Sequence, residues 1–239
     1  MTRRRWLDVA AVGTLATALG AALLVPPEQT QGDLARIIFV HVPAAWLAYL
    51  AFGVTLVGSV AFLATKGMRW DRLAGASAEV GVYFTGLTIA LGMIWGKSTW
   101  GVWWTWDARL VLTAVMFFVY LGYLALRRGI PDPGARARRS AWLGILATFQ
   151  IPIVHFSVLW WRTLHQPPSL LRPDGMQMDA PFRGALVMAL VAFTVVYAAL
   201  VARHVEHARL EEQLAQAIAS EERDVAGAAV SAPRFGEAG

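Results

Sequence analysis

The chain has 239 residues, of which 57% are apolar and only 15% are charged. Since a typical soluble domain is about 45–50% apolar and about 25% charged, this composition excludes a soluble domain and a disordered chain. The absence of cysteine excludes a disulfide scaffold and a thiolate metal site, and a net charge of +5 is typical of basic cytoplasmic loops rather than of nucleic-acid binding. The chain is therefore predicted to be an integral membrane protein.

Six stretches are apolar enough and long enough, at about 20 residues, to cross the hydrocarbon core as helices. They cover residues 6–25, 37–65, 73–95, 110–126, 141–160 and 184–202. Strands are disfavoured because ten-residue segments of alternating polarity, the pattern of a membrane barrel, are missing from the sequence. We predict an all-α bundle of six transmembrane helices, in which residues 1–202 form the membrane domain.

The distribution of Lys and Arg predicts the orientation of the bundle. Fifteen of the 21 basic residues fall in the N-terminus, the 66–72 loop, the 127–139 loop and the tail, and six fall on the other side. Both termini are therefore expected in the cytoplasm, with three loops on the outer side. The tail, 203–239, is predicted to be a charged helix with a disordered end. The first span follows three arginines and could be a signal peptide, but its full length favours a retained helix.

Tryptophan is concentrated in the second outer loop, where five of the eleven tryptophans lie within twelve residues. They are Trp95, Trp100, Trp103, Trp104 and Trp106. An aromatic belt at the headgroups places one or two tryptophans at a helix end, so five on one connection favour a ligand platform over a belt. If 95–106 is helical, all five fall within half of the helical wheel, but two glycines leave an irregular loop equally open.

Three histidines, His41, His155 and His165, lie at or near the outer ends of the second and fifth spans. A lone histidine at a helix end is usually a hydrogen-bonded interface residue. Three histidines beside a tryptophan platform instead favour a role in ligand binding. Zinc is disfavoured because no carboxylate–histidine pattern is present. A flat apolar ligand whose metal takes two axial nitrogens fits better, and haem is the obvious candidate. His204 and His207 in the tail are expected to be solvated.

The polar residues of the outer loops each have two interpretations. Asp107 precedes the fourth span, where it is either a helix N-cap or a direct ligand contact. Arg36 and Arg109 lie near the interface, where they are either anchors or clamps for the anionic groups of a ligand. We expect the site to lie at the outer surface, between the loops.

The segment WGKSTWGVWWTWDARL, residues 95–110, resembles the tryptophan-rich "WWD" signature of haem-handling proteins in cytochrome c biogenesis. The segments FVHVPAA at 39–45 and PIVHFSVLWWRTLHQ at 152–166 extend the resemblance to the CcmC family, also called haem exporter protein C. The match runs from about residue 33 to residue 202. It implies that His41 and His165 ligate the iron of haem b and that 95–109 cradles the haem edge.

The same resemblance implies a function in the bacterial inner membrane. Members of the family present haem to a periplasmic chaperone of the CcmE type, together with a single-span subunit (CcmD) and an ATP-binding-cassette pair (CcmA and CcmB). No conventional catalytic motif is present, so any activity is expected to be transfer of haem, of a haem-lyase type. The alternative is a b-type haem electron carrier in a respiratory complex, although such carriers usually place paired histidines inside the bundle. Glu79 is the nearest approach to a mid-membrane charge, so a small-solute transporter is disfavoured.

Overall fold

The computed structural model describes residues 3–166, 175 and 178–231 of the chain. This part of the chain is all-helical and has no β-strand. Its helices are α1 (Arg3–Leu24), α2 (Ile38–Thr65), α3 (Met68–Trp100), α4 (Ala108–Gly129), α5 (Pro133–Thr148), α6 (Gln150–Trp160) and α7 (Ala180–Ser231), with a 3-10 turn at Asp33–Ile37 before α2. Six helical segments in it are long and apolar enough to cross a membrane, with α5 and α6 counted as one. The predicted six-span, all-α architecture is confirmed.

The helices extend further than the apolar runs that predict them. The predicted 66–72 loop is reduced to Lys66 and Gly67. Lys66 adopts a left-handed conformation (φ 58°) that ends α2, and α3 begins directly after Gly67. The 127–139 loop shrinks in the same way to 130–132. There Asp132 caps α5, its side chain accepting a hydrogen bond from the amide of Ala135. All basic residues of these two predicted loops except Lys66 therefore lie on helices.

The fifth span is broken at Phe149, between α5 and α6. Pro152 explains the break, because its nitrogen carries no hydrogen and cannot bond the carbonyl of Thr148, the last residue of α5. The side chain of Thr148 lies 3.2 Å from the hydroxyl of Tyr120 on α4. After the break, α6 leads to the segment that carries His165.

The core is built around α2, which packs against α3, α5 and α7. Phe52 of α2 stacks on Tyr120 of α4 with ring centroids 3.4 Å apart. Gly81 of α3 makes this arrangement possible, since a Cβ there would lie 2.6 Å from the Phe52 ring. Any larger residue at position 81 would force α2 and α3 apart.

Below, "histidine end" means the end of the bundle that carries His41 and His165, and "opposite end" means the end where α2 passes to α3. At the opposite end α7 continues past residue 202 without a break, to Ser231. Glu212 on this extension receives a hydrogen bond from Arg72 of α3 (2.8 Å) and lies 3.6 Å from Arg136 of α5. The first part of the predicted tail is thus a helix that packs on the bundle, whereas 232–239, including Arg234, lies outside the described residues.

Candidate ligand cavity at the histidine end

The tryptophan segment is helical only as far as Trp100. Gly101 adopts a left-handed conformation (φ 78°), and its amide donates to the carbonyl of Lys97 to close α3. Residues 101–107 are irregular and lead to α4. The arrangement of all five tryptophans on one helical face is therefore wrong, and the irregular alternative holds for the second half of the segment.

A cavity of about 380 Å³ opens beside this segment, bounded by α2, α3, α4 and the segment 161–166. Sites for small ligands usually enclose roughly 300–1,000 Å³, so its size fits a ligand site. The residues that line it and that the sequence singles out are His41, Trp95, Trp100, Trp104, Arg109 and His165. The structure thus brings both predicted iron ligands and three of the five tryptophans to one place.

The cavity reaches into the bundle, not only along its surface. Thr85, Met116 and Ala48 line its inner part and are all buried. Thr85 lies fifteen residues before the end of α3, which corresponds to about 22 Å along a helix. The expectation of a purely surface site between loops is therefore wrong. The second half of α3, from Thr85 onward, and the first turns of α4, from Arg109 to Met116, enclose the cavity.

His41 lies in the first turns of α2, with its ring at the cavity. Its Nδ1 is buried and has no hydrogen-bond partner in the described part of the chain. The ring meets Trp95 edge-on, with centroids 5.7 Å apart. Gly92 leaves the space for it, since a Cβ at position 92 would lie 3.1 Å from the imidazole. The ring of His41 lines the cavity, and an imidazole at a cavity wall can serve as a ligand for a metal.

His165 lies on the irregular segment that follows α6. Its Nδ1 is 2.9 Å from the carbonyl oxygen of Gln166, and since a carbonyl only accepts, Nδ1 is the donor. Nε2 then carries the lone pair and is free to bind a metal, which is the usual arrangement of a ligating histidine. Burial lowers the pKa of His165 below its ordinary value of 6.5, which keeps the ring neutral, as ligation requires.

Asp107 makes the predicted N-cap and also a contact that the sequence does not indicate. Its Oδ1 accepts from the amide of Leu110, which caps α4. Its Oδ2 accepts from the hydroxyl of Thr163 at 2.8 Å and from the amide of Leu164 at 3.2 Å. Asp107 therefore joins the tryptophan segment to the segment that carries His165, and it is not among the residues that line the cavity.

The two arginines have different surroundings. Arg109 lines the cavity, and its Nη2 donates to the carbonyl of His155 while its buried Nε has no partner among the described residues. Arg36 does not line the cavity; it pairs with Asp33 (2.6 Å) and donates to the carbonyl of Val25. Arg109 is thus placed to meet an anionic group on a ligand, whereas Arg36 braces the first outer connection.

The remaining predicted residues lie at the rim or away from the cavity. Trp103 and Trp106 are 55% and 85% exposed, and neither lines the cavity. Trp106 meets Trp104 edge-on at 6.1 Å, which connects the exposed rim to the cavity wall. The ring of His155 packs against Tyr49 and Phe156 and does not line the cavity.

Most of the other lining residues were not predicted, and Gln31 and Tyr49 are two of them. The side-chain oxygen of Gln31 accepts a hydrogen bond from the Trp95 indole at 2.7 Å, across 64 residues of sequence. The carboxylate of Glu28 holds the turn before it by accepting from the amides of Thr30 and Gln31. No local pattern marks Gln31. Only its position in an outer loop near an apolar span could have suggested it.

The chemistry of the lining fits a flat ligand that carries its own metal. Among the described residues, no group of three or more His, Asp or Glu side chains is arranged to hold a bare ion. Two imidazoles in an aromatic cavity instead match a metal whose equatorial positions are already filled, as in a porphyrin. His41 and Arg109 supply the nitrogen-bearing side chains of the lining that suit the metal and the anionic groups of such a ligand.

Comparison with known proteins agrees with this assignment. Residues 2–220 match the family model CcmC, described as "Heme exporter protein C". The chain is 40% identical to the heme exporter protein C of Bradyrhizobium diazoefficiens, covering 82% of this chain and 74% of that protein. It is 36% identical to the Haemophilus influenzae protein of the same name (72% and 70% covered) and 32% identical to that of Escherichia coli K12 (82% and 79% covered).

Proposed function

Since this chain belongs to the haem exporter protein C (CcmC) family, we propose that it binds haem at this cavity and hands it to a periplasmic haem chaperone for c-type cytochrome biogenesis. The observation that supports the proposal best is the meeting of His41 and His165, 124 residues apart in sequence, at one aromatic cavity. Each of them presents a ring nitrogen that no side chain of the described part engages.

Each lining residue has a distinct task in this proposal. His41 and His165 hold the iron as its two axial ligands, both as neutral imidazoles. Trp95, Trp100 and Trp104 cover the porphyrin, and Arg109 pairs with a propionate, whose charge would be costly to leave unpaired near lipid. Haem is cargo here, so the site must hold it and also release it.

The position of the cavity in the membrane belongs to the same proposal. The excess of basic residues on the opposite end favours that end as cytoplasmic and the histidine end as periplasmic, in a bacterial inner membrane. The partners proposed are a CcmE-type chaperone that reaches the exposed rim, a CcmD-type single-span subunit and a CcmA/CcmB-type transporter pair, with lipid around the bundle.

One observation favours the second candidate, a b-type haem electron carrier. The cavity extends to buried residues such as Thr85 and Met116, and permanent cofactors are usually held inside a bundle. The exposed rim formed by Trp103 and Trp106 favours handover instead, since a carrier that keeps its haem needs no such surface. The two candidates differ in whether bound haem leaves the protein when the chaperone is added.

The test is an absorption spectrum of the purified protein with haem, before and after adding the chaperone. We expect a low-spin spectrum, which becomes five-coordinate in His41→Ala and His165→Ala and is restored by exogenous imidazole. His155→Ala is the matched control, because its ring lies on α6 near the site yet outside the cavity, and it should keep the original spectrum. Unchanged spectra in both ligand variants would overturn the axial assignment, and haem that stays bound would favour the electron carrier.

A further inference from the structure

The two proposed ligands are held in different ways. His41 is part of α2, so the hydrogen bonds of that helix fix its backbone. His165 lies five residues after α6 ends at Trp160, in a segment with no regular structure between 161 and 166. Some other contact must hold its backbone at the cavity, because an irregular segment supplies little constraint of its own.

Asp107 supplies that contact through its second carboxylate oxygen. Oδ2 accepts from the hydroxyl of Thr163 (2.8 Å) and from the amide of Leu164 (3.2 Å). The oxygen of Thr163 accepts in turn from the amide of His165, at 3.0 Å. We call these three hydrogen bonds the latch. They lead without a gap from the tryptophan segment to the backbone of the proposed ligand.

The chemistry of the latch requires a carboxylate. The two oxygens of Asp107 have three donors between them, since Oδ1 is already taken by the cap of α4. Asparagine caps a helix about as well as aspartate, but its NH₂ group would then face the donors of Thr163 and Leu164. A cap alone therefore does not require a carboxylate at position 107. The negative charge of Asp107 strengthens the hydrogen bonds to the segment that carries His165.

We propose that Asp107 and Thr163 are positioning residues that seat His165, so that opening the latch detaches this ligand first when haem is handed over. The proposal rests on the proposed function, in which His165 binds the iron. The backbone of His41 cannot move away without deforming α2, whereas the backbone of His165 is free to move once the three hydrogen bonds of the latch separate. Both residues act through His165 and need not touch the haem.

Hydrogen exchange of the ligand-free protein tests the latch directly. In Thr163→Val the amide of His165 loses its acceptor and the link to Asp107, while the cap of α4 stays intact. Peptides covering 162–166 should then exchange about tenfold faster or more, and Thr163→Ser, which keeps the hydroxyl, should restore protection. Equal exchange in Thr163→Val and the original protein would overturn the proposal.

The haem spectrum provides the second readout. We expect Thr163→Val to shift from six-coordinate toward five-coordinate haem, with imidazole restoring the low-spin form, and Asp107→Asn to do the same. Thr17→Val is the control, since its hydroxyl bonds only its own helix, on α1. If His165→Ala changes the spectrum and Thr163→Val does not, the latch is refuted alone; if His41→Ala and His165→Ala both leave it unchanged, the axial assignment in the proposed function fails as well.

Discussion

The two ends of the bundle both contain a cavity, and the larger one is not the candidate site. The cavity at the opposite end has a volume of about 1,140 Å³, three times that of the cavity at the histidine end. Most of its charged side chains are paired with one another: Glu212 with Arg72, and His204 with Glu79 at 3.0 Å. The cavity at the histidine end is lined instead by aromatic rings, those of Trp95, Trp100 and Trp104, together with the imidazoles of His41 and His165.

This difference favours the histidine end as the proposed binding site. Charged groups that are paired within the protein hold helices together, whereas an aromatic lining with two imidazoles suits a flat ligand that carries a metal. Volume alone would select the opposite end. The strongest pair near the opposite end is Asp71 with Arg127, joined by two hydrogen bonds of 2.6 and 2.9 Å, with Asp71 only 2% exposed.

The largest expected effect concerns which end faces the periplasm. A reporter that is active only in the periplasm should be active when fused near Trp104 and inactive when fused at Pro133, because basic segments stay in the cytoplasm. The third outer loop offers Arg172 as a second fusion point, although this residue lies outside the described residues. Activity at Pro133 would reverse the orientation and, with it, the side on which haem is handed over.

Removing one partner of the Asp71–Arg127 pair should come next in size. Arg127→Ala leaves a buried carboxylate uncompensated, and such changes cost about 3–5 kcal/mol of stability. The thermal midpoint in detergent should therefore fall sharply, while the protein that remains folded should keep its haem spectrum. The double variant Asp71→Leu/Arg127→Met should recover much of the loss. A haem-binding defect without a loss of stability would mean that the opposite end takes part in binding.

Replacing individual tryptophans should affect either the retention of haem or its transfer, depending on where the ring lies. Trp104→Ala removes a stacking surface at the cavity wall, for a loss of about 1–3 kcal/mol in binding, and should reduce retained haem. Trp103→Ala removes an exposed rim residue of the same size and should retain haem but transfer less of it. The measurements are bound haem per inserted protein and covalent haem on the chaperone. Full retention and transfer in both variants would reduce the segment to a membrane belt.

The fold was predictable because membrane crossing is a local property. About twenty consecutive apolar residues are enough to form a membrane span, independently of the rest of the chain. A helix long and apolar enough to cross a membrane is found at each of the six predicted spans. The helix ends were less predictable, since α3 runs from Met68 to Trp100, beyond the predicted span of 73–95. The break at Phe149 had a visible cause in Pro152, but a single proline in a span does not fix whether the helix bends or ends.

The site was predictable where residue type carries the information. Tryptophan and histidine at the outer loops identified the ends of α2 and α3, and the cap by Asp107 follows from its place before α4. The contact of Asp107 with Thr163 spans 56 residues, and no sequence pattern encodes it. Arg36 is a case in which the residue type misleads. Its charge suits a contact with a ligand, but its side chain pairs with Asp33 and donates to the carbonyl of Val25 in the first outer connection.

The smallest effect expected is that of Gln31, which tests how finely the histidine end is adjusted. Gln31→Leu removes the acceptor of the Trp95 indole, a loss of about 1 kcal/mol for one hydrogen bond. Trp95 packs edge-on against His41, so a freed indole should let the imidazole tilt and weaken haem binding by about fivefold. Gln29→Leu, two residues away and exposed, should bind haem as the original protein does. If Gln31→Leu matches that control in haem affinity and in the spectrum of the iron, the first outer connection plays no part in orienting His41, and the orientation of the ring is set by α2 and Gly92 alone.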